Sequence, residues 1–262
     1  WMGSVCMSRR SGTLRRLCHD QGMGGRRSTG VMTLPLVLLP GMMCDARLFG
    51  PQIAALSQRG QVTVSEISGH DSIVGLAADV LADAPPEFAL AGLSMGGIIA
   101  MEIMRQSPSR VVKLALMDTN PLAELDAVKA RRAPQIAKAQ TGQLAHVIRD
   151  EMKPNYLTDG PHRAAILDLC MDMALALGAD AFIRQSVALR DRPDQSDTLR
   201  SVTVRTLILC GRHDALCPVA RHELMQELIS DASLEIIEDA GHLPTLEQPR
   251  KTTAALIRWM EE

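Results

Sequence analysis

The sequence predicts an α/β protein, a mostly parallel sheet with crossover helices, interrupted by one long helical insertion. Three observations carry this. Strand-length apolar runs alternate with helical periodicity from Thr33 to Asp118, as βαβ units require. The strand signal stops from Pro121 to about Arg200 and returns at Val204. One strand–helix junction, Phe88–Ala100, carries the corner Gly92-x-Ser94-x-Gly96.

Taken in order, Leu34–Leu39 is a strand, followed by a loop containing Gly41 and a helix over Phe49–Gln58. Val62–Ile67 is a strand. His70-Asp71-Ser72 opens a helix reaching about Asp83, capped by Asp71 or Ser72, and Pro85-Pro86 ends it. Phe88–Leu93 is the strand before the corner, Met95–Gln106 its helix, and Val111–Met117 the next strand, ending at Asp118. Helices follow over Leu122–Lys138, Gly142–Met152, His162–Leu177 and Ala179–Arg190, with breaks at Thr141-Gly142, Pro154–Pro161, Gly178 and Asp191–Asp197. The alternation resumes with strand Val204–Cys210, helix Pro218–Ser230, strand Leu234–Ile237 and helix Gln248–Glu261. The division expected is a core of residues 33–120 and 201–262, with a helical lid over 121–200. The lid covers the carboxyl edge of the sheet, where open α/β sheets bind ligands.

Composition narrows the function. The chain has 262 residues, 46% of them hydrophobic, enough for one large domain or a core with a subdomain. Aromatic residues make up 2% against 15 Met, so core and pocket are built from aliphatic residues and Met, which disfavours base stacking. Residues 1–32 hold Arg9, Arg10, Arg15, Arg16, Arg26 and Arg27 against Asp20 alone; the total charge is −2, so the remainder is acidic. An acidic body argues against a nucleic-acid partner. The arginine- and serine-rich leader lacks hydrophobic periodicity. It is expected to be a disordered leader, or a remnant of upstream sequence or of cloning, with organised sequence starting at Thr33. The six cysteines show no C-x-x-C pair and read as free thiols in a reducing, cytoplasmic compartment. No apolar run is long enough to span a membrane. Neither a phosphate loop nor a metal-ligand spacing is present, so no cofactor and no metal are expected. A homo-oligomer is compatible with the sequence.

Ser94 sits at a corner that lifts a hydroxyl clear of the sheet, and the flanking glycines leave room for the helix to fold back. A serine hydroxyl needs a base. His242, in Asp239-Ala240-Gly241-His242-Leu243-Pro244, lies on a loop after the last strand. The base needs an acceptor for its second N–H, and Asp214 lies just past a buried strand in Gly211-Arg212-His213-Asp214. Asp118 is the alternative acid, with bonding to neighbouring loop backbone its other reading. Asp239 reads as a surface or turn residue. Cys44 is either a second nucleophile or a small buried thiol.

The chain resembles the α/β-hydrolase fold superfamily, specifically its small lidded esterase-like serine hydrolases. Four segments carry the resemblance: Leu38-Leu39-Pro40-Gly41-Met42-Met43, Gly92–Gly97, Gly211–Asp214 and Ala240–Pro244. It implies acyl transfer to water, with Ser94 as nucleophile, His242 as base then acid, and Asp214 as orienter. It places the oxyanion hole at the N–H groups of Met95 and Met42, with Met43 as the other loop residue considered. Met43 and Tyr156 are candidate substrate contacts; for Tyr156 the alternative is a hydroxyl packed in its loop. Two departures stand out. Pro40-Gly41 replaces the usual His-Gly, and the usual amino-terminal strand pair is missing. About six strands are therefore expected, with Val62–Ile67 at an edge. The expected reaction is hydrolysis of a small carboxylic ester. Alternatives with the same triad are hydrolysis of an enol-lactone, a thioester or carrier-bound methyl ester, or a carbon–carbon bond. A non-catalytic ligand receptor is the reading from a different class.

Overall fold

A computed structural model describes residues 34–262; the predicted leader, with Cys6 and Cys18, lies outside the described residues. Strand β1 (Leu36–Leu39) alternates its side chains, Leu36 and Leu38 packing on one face of the sheet and Val37 and Leu39 on the other. All four are buried, the pattern of a strand covered on both faces. A single 3-10 turn over Ala46–Phe49 leads into α1 (Gly50–Leu56), with a proline in the first turn, so the predicted Phe49–Gln58 helix is realised in two pieces. Then come β2 (Val62–Val64), α2 (Ile73–Asp83), β3 (Phe88–Leu93), α3 (Met95–Gln106) and β4 (Val111–Met117). Of the two caps weighed for α2, Ser72 is used: its side chain accepts the Gly75 N–H.

The insertion holds α4 (Asp126–Gln140), a short turn α5 (Leu144–His146) that continues as a π-helix over Val147–Met152, and α6 (Arg163–Arg190). Gly178, at φ +81°, breaks α6 into two helices, where the sequence places the break. A short α7 (Ser196–Arg200) falls beyond the predicted helices. The core then resumes with β5 (Thr206–Gly211), α8 (Val219–Leu228), β6 (Ala232–Ile237), α9 (Pro244–Glu247) and α10 (Pro249–Glu261).

The six strands run in the order β2-β1-β3-β4-β5-β6, and every pairing is parallel. The edge position expected for the second strand is met, but the strand is shorter than Val62–Ile67. Beyond Val64 the chain leaves the sheet, and the Ile67 carbonyl accepts from Gln185 of the insertion. One apolar layer packs α2, α3 and α8 against the sheet, and a second packs α1 and α10 on the other face. The insertion has a small core of its own around Leu144, Val147, Ala174 and Phe182, which takes in Met43 from the loop after β1.

Two glycines set how closely α3 approaches the sheet. A Cβ at Gly92 would lie 2.3 Å from the Gly96 carbonyl oxygen, in the helix folding back on β3. A Cβ at Gly96 would lie 2.1 Å from the Leu39 carbonyl oxygen and 2.6 Å from that of Pro40. Gly96 therefore seats α3 against the end of β1 and the residue that follows it, not against its own strand. These obstacles are backbone atoms and have no rotamer to retreat into. Gly96→Ala is expected to lower the unfolding free energy by about 3 kcal/mol, read as a fall in the urea midpoint with an unchanged slope.

Candidate active site

Ser94 is the corner between β3 and α3, at φ +55° and ψ −115°. A non-glycine residue there costs roughly 1–3 kcal/mol and persists only where its surroundings impose it. The Ser94 N–H donates to the Met117 carbonyl (2.9 Å), and its carbonyl accepts from the Thr119 hydroxyl (2.8 Å). Both bonds come from β4 or the residues just after it, so the neighbouring strand holds the strained residue in place.

The Ser94 Oγ lies 2.9 Å from Nε2 of His242, and the Nδ1 of that ring lies 2.8 Å from Oδ2 of Asp214. The other Asp214 oxygen, Oδ1, accepts the N–H groups of Leu216 (2.8 Å) and Cys217 (2.9 Å). Burial opposes charge on Asp214. The adjacent imidazole and these two backbone donors outweigh burial and hold its carboxyl below the usual range. The His242 loop is tied down twice. Its N–H donates to the Tyr156 carbonyl (2.7 Å) in the insertion, and Glu247 accepts from the N–H groups of Gly241 and Leu243. Glu247 reaches back to the N–H of Leu243, the N-cap of its own short helix. No capping-box pattern in the sequence marks that role for Glu247.

Asp118, the alternative acid, makes no bond to His242. It sits fully buried after β4 and accepts the Gly211 N–H through Oδ1 (2.9 Å). Burial, then the charge of Asp214, pushes its carboxyl well above the usual range. Asp118 thus supports the end of β5 while Asp214 faces the imidazole. Beside them lies His222, which is fully buried; its Nε2 accepts the Thr119 N–H (3.1 Å). Burial lowers its pKa from 6.5 to about 4. Between those values the unfolded chain binds a proton that the native protein does not. Stability is therefore complete above pH 6.5 and falls as the pH drops through the window, by about 3 kcal/mol in all. His222→Gln keeps an acceptor for Thr119 and removes the titration. Denaturant melts at pH 5 and pH 7.5 should show a smaller pH dependence in the variant; equal dependence would rule His222 out as its source.

The loop after β1 turns through Met43 at φ +57°. The Met43 N–H donates to Oε1 of Gln185 (2.8 Å), and the Cys44 N–H to the Gly41 carbonyl (3.1 Å). Met95 is the first residue of α3, where an N–H has no carbonyl of its own helix to bond. Gln185 lies 142 residues from Met43, and no local pattern in the sequence points to it.

Ser94 and His242 open into a cavity of about 370 Å³. The core contributes Met42, Ile98 and Leu243 to its wall, and the insertion contributes Val128, Tyr156 and Leu189. Tyr156 lines the cavity. Met43 does not: its side chain is buried in the core of the insertion, because the left-handed turn and the Gln185 bond direct it there. Cys44 lines the cavity, but burial raises its thiol pKa well above the usual value and leaves it protonated. Asp239 lies on the surface near Lys251. Among the described residues no helix is long and apolar enough to cross a membrane.

Comparison with known proteins shows the family of the chain. The pimeloyl-[acyl-carrier protein] methyl ester esterase of Nitrosomonas europaea is 26% identical, over 82% of this chain and 91% of its own. A thermophilic esterase from Thermogutta terrifontis, solved with malate bound, superposes with a TM-score of 0.81 at 26% identity, covering 88% of this chain and 91% of that one. The enol-lactonase from Burkholderia xenovorans LB400 gives 0.79 at 22% identity, over 91% and 94% of the two chains, a likeness of fold. The model of the alpha/beta hydrolase family matches residues 36–256, from the first strand of the sheet into its last helix, and the chain belongs to that family.

Proposed function

We propose that this protein is a serine hydrolase that cleaves a small carboxylic ester through an acyl-enzyme. The hydrogen-bonded series Asp214–His242–Ser94, ending at a cavity, carries the reading. Ser94 Oγ attacks the ester carbonyl while Nε2 of His242 takes its proton. Asp214 holds the Nδ1–H and stabilises the imidazolium. The oxyanion is held by the N–H groups of Met95 and Met42, since the Met43 N–H is already given to Gln185; one such donor contributes on the order of 3 kcal/mol. The imidazolium then protonates the departing alkoxide, and the alcohol leaves. Water, deprotonated by His242, adds to the acyl carbon; the tetrahedral intermediate collapses, Ser94 recovers its proton, and the acid is released.

Residues 121–200 are read as a lid and residues 33–120 with 201–262 as the core. The cavity wall built from both segments supports that division. The names of the methyl ester esterase and the enol-lactonase favour, as a second reading, a carrier-bound methyl ester or a lactone opened by the same steps. A receptor without chemistry has no use for an aligned nucleophile, base and acid. The test is hydrolysis of short nitrophenyl esters together with covalent labelling of Ser94 by a fluorophosphonate. Turnover and labelling at Ser94 are expected; absence of both would overturn the proposal.

A further inference from the structure

The cavity wall carries charge that the chemistry above does not use. Arg131, Arg132 and Arg192 line it against one carboxylate, Glu124. Glu124 is shared. Its Oε2 accepts from Nε of Arg132 (3.1 Å), and its Oε1 lies 3.1 Å from Nη2 of Arg192. The side chains of Arg132, Glu124 and Arg192 are only 12%, 6% and 8% exposed. Two guanidinium groups and one carboxylate in so little water leave an excess positive charge, which is costly unless an anion completes the set.

The hydrogen bonds leave room for that anion. Arg192 spends its Nε–H on the Leu122 carbonyl (2.9 Å) and Nη2 on Glu124. Arg132 spends Nε and Nη2 on Glu124, and its Nη1 has only the Met42 sulfur at 4.0 Å. Among the described residues no oxygen accepts from Nη1 of either arginine. Arg132 and Arg221, both of like sign, also lie near Arg192. The cluster is also close to the chemistry. Arg132 touches Met42 of the loop after β1, and Arg192 lies near Cys217, whose N–H holds Asp214. Ile98, Val128, Leu189 and Leu243 supply apolar wall in the same cavity, suited to a short methylene chain. A guanidinium fork matches a carboxylate in shape and charge.

We propose that the Arg132–Glu124–Arg192 cluster binds a carboxylate carried by the substrate, so that the protein acts on esters or lactones of dicarboxylic acids with one carboxylate free. The proposal rests on the hydrolase reading above for its reaction but not for its binding site.

The experiment compares monomethyl and dimethyl esters of the C4 to C8 dicarboxylic acids on the wild-type protein at fixed ionic strength. At the best chain length kcat/KM is expected to favour the charged half-ester at least tenfold. In Arg132→Gln and in Arg192→Gln, each checked for an intact melting transition, that ratio should fall toward one. Binding is read separately by calorimetry on Ser94→Ala protein, which should take monomethyl adipate at least tenfold more tightly than uncharged dimethyl adipate. Because this arm and the wild-type comparison use unaltered arginines, unfolding of an arginine variant does not block the decision. No half-ester preference at any length, with monomethyl adipate bound no better than dimethyl adipate, would overturn the inference and reduce the cluster to a structural staple. Preferred binding of monomethyl adipate without Ser94 labelling or ester turnover would leave the anion site standing and sink the hydrolase reading instead.

Discussion

Ser94→Ala is expected to lower kcat for a short nitrophenyl ester by about 10⁵- to 10⁶-fold, the largest effect of any single change in this protein. The substitution removes the atom that would carry the acyl group and leaves the rest of the site standing. The strained corner is held by backbone bonds to Met117 and through the Thr119 hydroxyl to the Ser94 carbonyl, none of which uses the serine side chain. The folded protein should therefore melt normally while losing turnover. A residual rate of about 10³-fold over water is expected from substrate binding and the two oxyanion donors. His242→Ala should fall to a similar floor, and the double variant should be little worse than either, because nucleophile and base act as one unit. Single-turnover and steady-state rates on the purified variants measure this; a Ser94→Ala rate within tenfold of wild type would exclude the serine.

Asp214→Asn is expected to cost about 10⁴-fold in kcat, for a reason visible in its hydrogen bonds. The N–H groups of Leu216 and Cys217 both point at Oδ1. An asparagine must turn its carbonyl oxygen toward these two donors, which puts its NH₂ against Nδ1 of His242. Nδ1 must then accept, so the ring proton moves to Nε2, the atom that has to take the Ser94 proton. The wrong tautomer is thereby locked in without any loss of shape. Asp118→Asn is the matched comparison. Its carboxyl is buried, held toward the neutral form and without contact to the imidazole, so an uncharged isostere should change kcat by less than about tenfold. If the Asp118 variant lost activity and the Asp214 variant kept it, the two carboxylates would have to exchange roles.

Much of the fold was legible because its signals are local. Apolar runs of strand length, Asp71 or Ser72 as a cap, Gly178 as a break and the glycine-flanked corner at Ser94 each depend on residues within a few positions of one another. The departures are equally physical. The second strand stops at Val64 because Gln185 bonds the chain that follows it. The helix expected from Leu122 begins at Asp126, because the Asn120 side chain accepts the Leu122 N–H and turns the chain, and Leu122 and Glu124 then serve Arg192. No periodicity registers a partner so far along the chain.

By itself the sequence determined the alternating architecture, the strained corner at Ser94 and the strand ends on which Asp118, Asp214 and His242 fall. All of these follow from backbone preference and hydrophobic period, which a short window contains. Only the tertiary structure decided which carboxylate faces the imidazole and which N–H of the Met42-Met43 pair stays uncommitted. It alone brought Glu124, Arg132 and Arg192 to one cavity wall. Each of those outcomes is a choice among partners on different loops, and such partners meet only after the sheet has ordered its strands and the insertion has packed across their ends.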